Sequence, residues 1–405
     1  MSKKKSFIVV LLSIFIFFET LSATTFFSGY AGGKLNYSAN SSSEAYDPDL
    51  KLQAFFAGQF NFSQNFWSHV EFSIDTGDFI SQSLFHETDA VFQLDELSCI
   101  FRGNFESASN YLSAFMGYYD PIGSDVFLQR YFNIEKIASK ITESYLGLAG
   151  SILYPHFGLG ISDVIKFHEI PLAIGGYIYL NHEDQKNFVL NGDFRTACVF
   201  RYLTIDFAAG IGAPIVNKYK GEDLFVGIDT ILWHAGTTIL LGNNYTTSLF
   251  IQAGLYNASF TAKNKYFIVE DDDLYLLFEP RFYGQNFHFN LSLYSLPANT
   301  VKELLCVDNS MGIDANLFTD SAMIGGKVFT IGSHLSFSLI NKNIFDLKDY
   351  GNLLENGYDI NISPYVTTNF LSGELHVQAK LKTMEIMKSS FAKAISVDLG
   401  YRTTF

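Results

Sequence analysis

The feature that most constrains this chain is a period of two. Leu50, Leu52, Ala54, Phe56, Gly58, Phe60 and Phe62 alternate with Lys51, Gln53, Gln59 and Asn61. Leu203, Ile205, Phe207, Ala209 and Ile211 alternate with Thr204, Asp206, Ala208 and Gly210. The same holds for Phe287, Phe289, Leu291 and Leu293 against His288, Asn290, Ser292 and Tyr294, and for Leu375, Val377, Ala379 and Leu381 against Glu374, His376, Gln378, Lys380 and Lys382. Successive side chains of an extended strand point to opposite faces, so each segment reads as a strand with one apolar and one polar face. Segments of about 10 residues match what a tilted strand needs to cross a membrane. Beyond the first 23 residues, no apolar run approaches the ~20 residues of a membrane-crossing helix. The chain is nevertheless rich in Phe (41) and Tyr (23), and only 17% of its residues are charged, against about a quarter in ordinary soluble domains. The apolar excess is therefore spread over alternating strands.

A soluble sandwich also alternates, and the two ends of the chain decide between the readings. Met1-Ser2-Lys3-Lys4-Lys5 is basic, Phe7 to Phe18 is apolar, and Glu19-Thr20-Leu21-Ser22-Ala23 follows with small residues. This order is that of a secretory signal peptide over residues 1–23, too short to span as a helix. At the other end Ile395, Val397, Leu399, Tyr401 and Phe405 share one face, and the chain stops on the aromatic Phe405. That ending resembles the C-terminal signal of bacterial outer-membrane β-barrels, which the barrel-assembly machinery reads. Thr403, where the pattern often has an apolar residue, departs from it. The resemblance implies an assembly signal centred on Tyr401 and Phe405. The expectation is an all-β protein: a single closed antiparallel transmembrane β-barrel over residues 24–405 in the cell outer membrane. Closure follows because an open strand edge in lipid leaves backbone groups unpaired.

In such barrels both termini lie in the periplasm, so short periplasmic turns alternate with long outer loops. Short turns are expected at 63–65, 201–202, 283–286, 331–333 and 369–372, with further ones at 103–108, 167–171 and 242–245. Long connections are expected at 38–49, 77–87, 120–143, 258–271, 297–321, 342–357 and 383–393, and shorter ones near 182–188 and 214–222. Eight turns imply about 18 strands, within a range of 14–18. Parity then makes 223–241 one long strand, the alternative being a turn from Trp233 to Gly236, and gives 144–166 a single crossing, the alternative being a turn at Pro155-His156. The third outer loop, 120–143, occupies the position of the loop that narrows the lumen in general porins. It either folds inward or stays on the surface, and Ile134, Ile137 and Ile141 are spaced like a short amphipathic helix.

Catalytic signatures are not found. There is no Gly-x-Ser-x-Gly elbow, no His-Glu-x-x-His and no CxxC, so the chain does not read as an enzyme and no cofactor is implied. Cys99, Cys198 and Cys306 are far apart and odd in number, which suits neither a disulfide framework nor a metal cluster; Cys99 and Cys198 read as packing residues. The run Glu270-Asp271-Asp272-Asp273 reads as a solvated loop, the alternative being a calcium site. The polar strand faces carry both charge signs, as a hydrated lumen would. Pore-lining candidates are Asp125, Arg130, Asp206, Glu374, Lys380, Asp398 and Arg402. A net charge of −14 disfavours nucleic acid as a partner. The expected partners are outer-membrane lipid, the barrel-assembly machinery, small solutes and, as in many porins, further copies of the chain. The leading functional expectation is a porin-like channel for passive diffusion of small hydrophilic solutes. The rivals are a surface adhesin or antigen acting through its loops, and a transporter of hydrophobic compounds. The absence of a plug segment before the strand pattern begins at Phe27 counts against the fatty-acid channels.

Overall fold

The structure, a computed structural model, describes residues 26–405 except 41–46, 79–89, 148–156, 183–187, 220–221, 228–229, 262–266, 271–272, 303, 353, 355–356 and 389–393. The expected signal peptide, the Pro155-His156 alternative and the centre of the acidic run at 271–272 lie outside the described residues.

Eighteen strands form the wall. They are β1 (Phe26–Asn40), β2 (Asp47–Ser63), β3 (Phe66–Thr76), β4 (Ala90–Asn104), β5 (Ala108–Gly117) and β6 (Gly158–Phe167). Next come β7 (Leu172–Asn181), β8 (Val189–Phe200), β9 (Leu203–Pro214), β10 (Thr230–Leu241), β11 (Ser248–Thr261) and β12 (Leu274–Tyr283). The last are β13 (His288–Ser295), β14 (Met311–Ile324), β15 (Lys327–Leu339), β16 (Tyr358–Phe370), β17 (Gly373–Lys382) and β18 (Ile395–Thr404). Each pairs antiparallel with its chain neighbours, and β1 also pairs with β18 from Tyr30↔Thr404 to Ser38↔Ser396, which closes the ring. Closure satisfies every edge, the condition for strands in lipid.

The alternation delivers this architecture, with corrections where glycine and loop chemistry intervene. The connection between β14 and β15 is Gly325-Gly326, not 331–333. Both glycines adopt positive φ, 58° and 78°, which a two-residue hairpin requires. Gly332 instead lies inside β15, where a β-carbon would run into the Tyr365 ring. The outer loop before β14 accordingly spans 296–310, not 297–321. The crossing expected over 223–241 starts only at Thr230, because Glu222–Gly227 pairs with Val216–Tyr219 in a separate small ladder. Trp233 to Gly236 is no turn: the register slips there, and Asn257 of β11, at φ 59°, takes up the slack.

The outer face is apolar. Phe101, Leu112, Ile161, Ile178, Leu317 and Leu335 are all more than half exposed at mid-strand. Such a belt is unsustainable in water and is solvated by lipid. At the short-turn rim Phe105, Tyr202, Tyr245, Phe282, Phe287 and Phe405 are exposed as an aromatic girdle. Cys99 is exposed on this outer face, so it is not the packing residue expected; Cys198, half-buried, shares the outward parity of Phe194 and Phe200. One charge breaks the belt. Asp163 of β6 stands outward beside Ile161 and Ile165 and accepts a hydrogen bond of 2.5 Å from Asn110 Nδ2.

Candidate functional site

The third loop folds inward. Among its described residues the sole regular element is α1 (Val126–Phe132), which ends at Asn133 in the left-handed conformation; Ile134 to Ile141, the stretch expected to be helical, is not. The reason is packing. Phe127 and Leu128 are fully buried, and Tyr131 nearly so, against inward-facing Phe115, Val164, Ala173, Tyr177, Tyr179, Ala197, Leu240 and Phe250 of β5 to β11. The lumen wall on this side therefore carries an apolar patch, and the loop covers it.

Three arginines fix the seat. Arg195 of β8 grips Asp206 of β9 through both nitrogens, at 2.9 and 2.5 Å, and also donates to the carbonyls of Asp120 (2.7 Å) and Ser124 (2.9 Å). Arg130 of α1 donates to both oxygens of Glu96 on β4, at 2.8 and 2.7 Å, and to Asp120 at 2.7 Å, with its guanidinium 4.0 Å over the Tyr119 ring. Arg281 of β12 donates to Glu279 (2.7 Å) and to the carbonyl of Ala138 (2.6 Å). Glu279, fully buried, also accepts from Ser139, Ser292 and the Lys140 N–H. Charges desolvated in this way hold only when fully paired.

Beyond Lys140 the loop crosses to the opposite wall. Tyr145 donates its hydroxyl to the carbonyl of Glu374 on β17 at 2.6 Å and stacks on His376 at 5.0 Å. Arg402 of β18 donates to the Tyr145 carbonyl at 3.1 Å and pairs with Glu374 at 2.8 Å. Glycine makes the crossing possible, since a β-carbon at Gly400 would collide with the Tyr145 ring. A second loop, 296–310, also folds inward: Leu296, Val301, Cys306 and Val307 pack on Ile141, Tyr275, Leu277 and Tyr294. Asp308 anchors it through Lys380 (2.6 Å), Lys382 (3.3 Å) and Asn361 (2.8 Å). Burial opposes ionisation of Asp308, but the two lysines hold its carboxyl below the usual range.

What remains open is a cavity of about 800 Å³ between the crossing loop and the wall of β1 to β4 and β14 to β18. Seven carboxylates line it, Glu71, Asp75, Asp95, Glu96, Glu143, Glu374 and Asp398, against the three cations Lys34, Lys140 and Arg402. The acidic arc on β3 and β4 has a local cause. Glu71 pairs with Glu96 but Phe72 pairs with Leu94, so Asp95 is the extra residue of a bulge, and the consecutive Asp95 and Glu96 are both buried inward. Lys140 and Glu143 form an ion pair of 2.6 Å at the loop's edge of the cavity. Desolvation pushes the Glu143 carboxyl up, but Lys140, Lys136 and Arg402 outweigh it and hold it down at about 2.

The residues singled out from the sequence separate into two groups. Glu374, Asp398 and Arg402 line the cavity, with Asp398 paired to Lys34 at 3.6 Å and hydrogen-bonded to Asn36. Asp125, Arg130 and Asp206 hold the crossing loop; Asp125 accepts the Ile137 N–H at 2.7 Å. Lys380 holds the second loop. Sequence reasoning passed over Glu71, Asp95, Glu96, Arg195, Glu279 and Arg281. A signal existed for several: Glu279 and Arg281, Asp193 and Arg195, and His69 and Glu71 are charged or titratable pairs two apart in apolar strands, hence on the same inward face. Phe405 closes the seam. Its N–H and carbonyl pair with Gly29 at 3.0 and 2.9 Å, and its ring covers Gly29 beside Phe27. Tyr401, on the same strand, donates its hydroxyl to the Leu371 carbonyl at 2.7 Å.

No protein-family model matches the chain, and comparison with curated protein sequences finds no match. Among solved structures, the chain is similar to OccAB3 of Acinetobacter baumannii, with 11% identity, a TM-score of 0.49 and coverage of 94% of this chain and 99% of that one. It is similar to OmpF of Salmonella typhi in complex with daunomycin (11% identity, TM-score 0.40, 94% and 97% coverage). It is also similar to a loop-deletion mutant of OmpT, an outer membrane protein of Vibrio cholerae (10%, 0.39, 94% and 99%). The barrel itself stands on its own closed ladder of hydrogen bonds.

Proposed function

We propose that this protein is an outer-membrane channel for passive diffusion of small hydrophilic solutes, with a preference for cations. The observation that carries this reading is the cavity beside the crossing loop, set inside a barrel of 18 strands and lined by more carboxylates than cations. An 18-stranded barrel is wide enough for water to fill whatever its loops leave free. Lys34, Arg402 and Lys140 pair with Asp398, Glu374 and Glu143, which leaves the acidic arc on β3 and β4 to set the sign of the field in that space. Passage needs no bond chemistry, so the reading assigns no catalytic residue. The experiment is reconstitution of the folded protein in a planar lipid bilayer. Stepwise conductance is the expected outcome. A silent bilayer favours a surface adhesin, and silence together with uptake of labelled fatty acid favours a carrier of hydrophobic compounds.

Within the same proposal, Tyr401 and Phe405 address the chain to the barrel-assembly machinery. A terminal strand with an apolar outer face and free edge is the natural substrate for strand addition before the ring closes. Phe405→Ala is expected to slow appearance of the heat-modifiable folded band in membranes. Unchanged kinetics would remove the assignment.

A further inference from the structure

The inward face of the β14–β15 hairpin brings together three groups of unlike chemistry. Asp314 and His334 are diagonal neighbours, since Asp314 registers with Ser336 and His334 with Asn316. His334 Nδ1 lies 2.8 Å from Asp314 Oδ1. The second inward loop lays Cys306 over the pair, held there by a hydrogen bond of 2.9 Å from Ser336 Oγ to the Cys306 carbonyl. One donor atom from each of Cys306, Asp314 and His334 lies within 4.8 Å of the other two. All three side chains are buried, at 4%, 0% and 5% exposure.

A separate observation points to a missing partner. Asp314 Oδ2 has no hydrogen bond although Asp314 is wholly buried. A buried carboxylate oxygen without a donor is costly and is relieved by a cation. The donor set selects the cation. Thiolate, imidazole and carboxylate together suit the zinc class of divalent ions, whereas calcium and magnesium take oxygen ligands alone. We propose that Cys306, Asp314 and His334 form a binding site for a zinc-class divalent cation in the wall of the cavity. Three protein ligands leave a fourth position open, as in zinc sites that take water or a solute. Cys306 and His334 both border the cavity, so the open position faces the space we assign to passing solutes. Binding replaces the Cys306 S–H bond by a metal–sulfur bond and releases the proton to solvent. It also ties the second loop to the wall.

The other three-residue cluster, His69, Glu71 and Glu96, lacks these properties. It has no thiol, and the Arg130 guanidinium already occupies both oxygens of Glu96. The metal site stands on its own geometry and does not require conduction.

The test uses the full barrel, folded in detergent, in a Cys99→Ser, Cys198→Ser background that leaves Cys306 as the only thiol. Both replaced cysteines lie on outward strand positions. Titration with cobalt(II) is followed by absorption, with zinc(II) as competitor. A thiolate-to-cobalt charge-transfer band that zinc abolishes is the expected result. Cys306→Ser should remove the band, while Asp314→Asn and His334→Gln should each weaken binding by about 10- to 100-fold or more. The two weakening variants are read separately, each after a check of heat-modifiable folding, so misfolding of one leaves the other informative. Absence of the band in the parent, or a band that neither variant weakens, overturns the proposal.

Discussion

The two halves of the lumen are built on the same alternating strands and end differently. On the side of β5 to β11, inward positions include Phe115, Val164, Tyr177, Tyr179, Leu240 and Phe250, and the third loop buries Phe127 and Leu128 against them. On the side of β1 to β4 and β14 to β18, inward positions include Gln53, Glu71, Gln93, Thr367 and Gln378 beside Phe55, Phe318 and Tyr365, and the space stays open. The loop follows chemistry. It settles where apolar surface and paired arginines offset its loss of conformational freedom, and it leaves the carboxylate-rich wall to water. A polar face in a strand thus marks the lumen, but the apolar residues interrupting that face mark where the lumen is filled.

The sharpest way to break the contrast is at Arg195. Arg195→Met would leave Asp206 buried without its partner and would take a donor from three loop carbonyls, those of Asp120, Pro121 and Ser124. Removing one member of such a buried pair costs about 3–5 kcal/mol. The expected outcome is a lower unfolding temperature and larger, noisier single-channel steps, as the loop leaves its seat. Unaltered steps at unaltered stability would show that the clamp does not set the aperture.

The open half is tested next. Neutralising its arc with Glu71→Gln, Asp75→Asn and Asp95→Asn removes three of the seven lining carboxylates and leaves the loop clamp untouched. The permeability ratio of potassium to chloride should fall several-fold while the size of the steps changes less. If the ratio holds, selectivity resides elsewhere.

The smallest expected effect lies at the boundary between the halves. The Glu143 carboxyl is held near 2 against an ordinary value of 4.5. A depressed carboxyl stabilises the folded loop fully above its unfolded value and loses that contribution only as pH falls toward the folded one. Wild-type conductance should therefore be insensitive to this group from about pH 5 to 8, with loosening confined to strongly acidic solution. The difference between wild type and Glu143→Gln, measured down to about pH 3.5, should be flat. A step near 4.5 would mean that Lys140 does not hold the carboxylate.

Much of the wall was legible because membrane crossing by strands forces alternation on every segment. The turns at Arg201-Tyr202 and Leu371-Ser372 fall where the pattern changes parity, and the turn at Gln64-Asn65 falls at polar residues between two apolar runs. The hairpin at Gly325-Gly326 was missed for Gly332, since sequence alone does not say whether a glycine turns the chain or makes room for a ring such as Tyr365. The interior was less legible. Ile134, Ile137 and Ile141 have helical spacing, yet the helix forms at Val126–Phe132, where Phe127, Leu128 and Tyr131 meet the apolar wall. That choice depends on residues from seven strands, up to Phe250, that no local pattern connects. Asp125, Arg130 and Asp206 were expected to line the pore, and their commitment to the loop depends on partners such as Arg195, Glu96 and the Ile137 N–H.

The central claim is that the third loop lies across the lumen, and one labelling experiment addresses it directly. Glu143 borders the cavity from the loop side. With Cys99, Cys198 and Cys306 replaced by serine, Glu143→Cys is inserted into a bilayer and treated with a bulky charged thiol reagent. The account predicts that single-channel conductance drops as the label attaches. Complete labelling, verified by mass, with conductance unchanged would place the loop outside the path and contradict it.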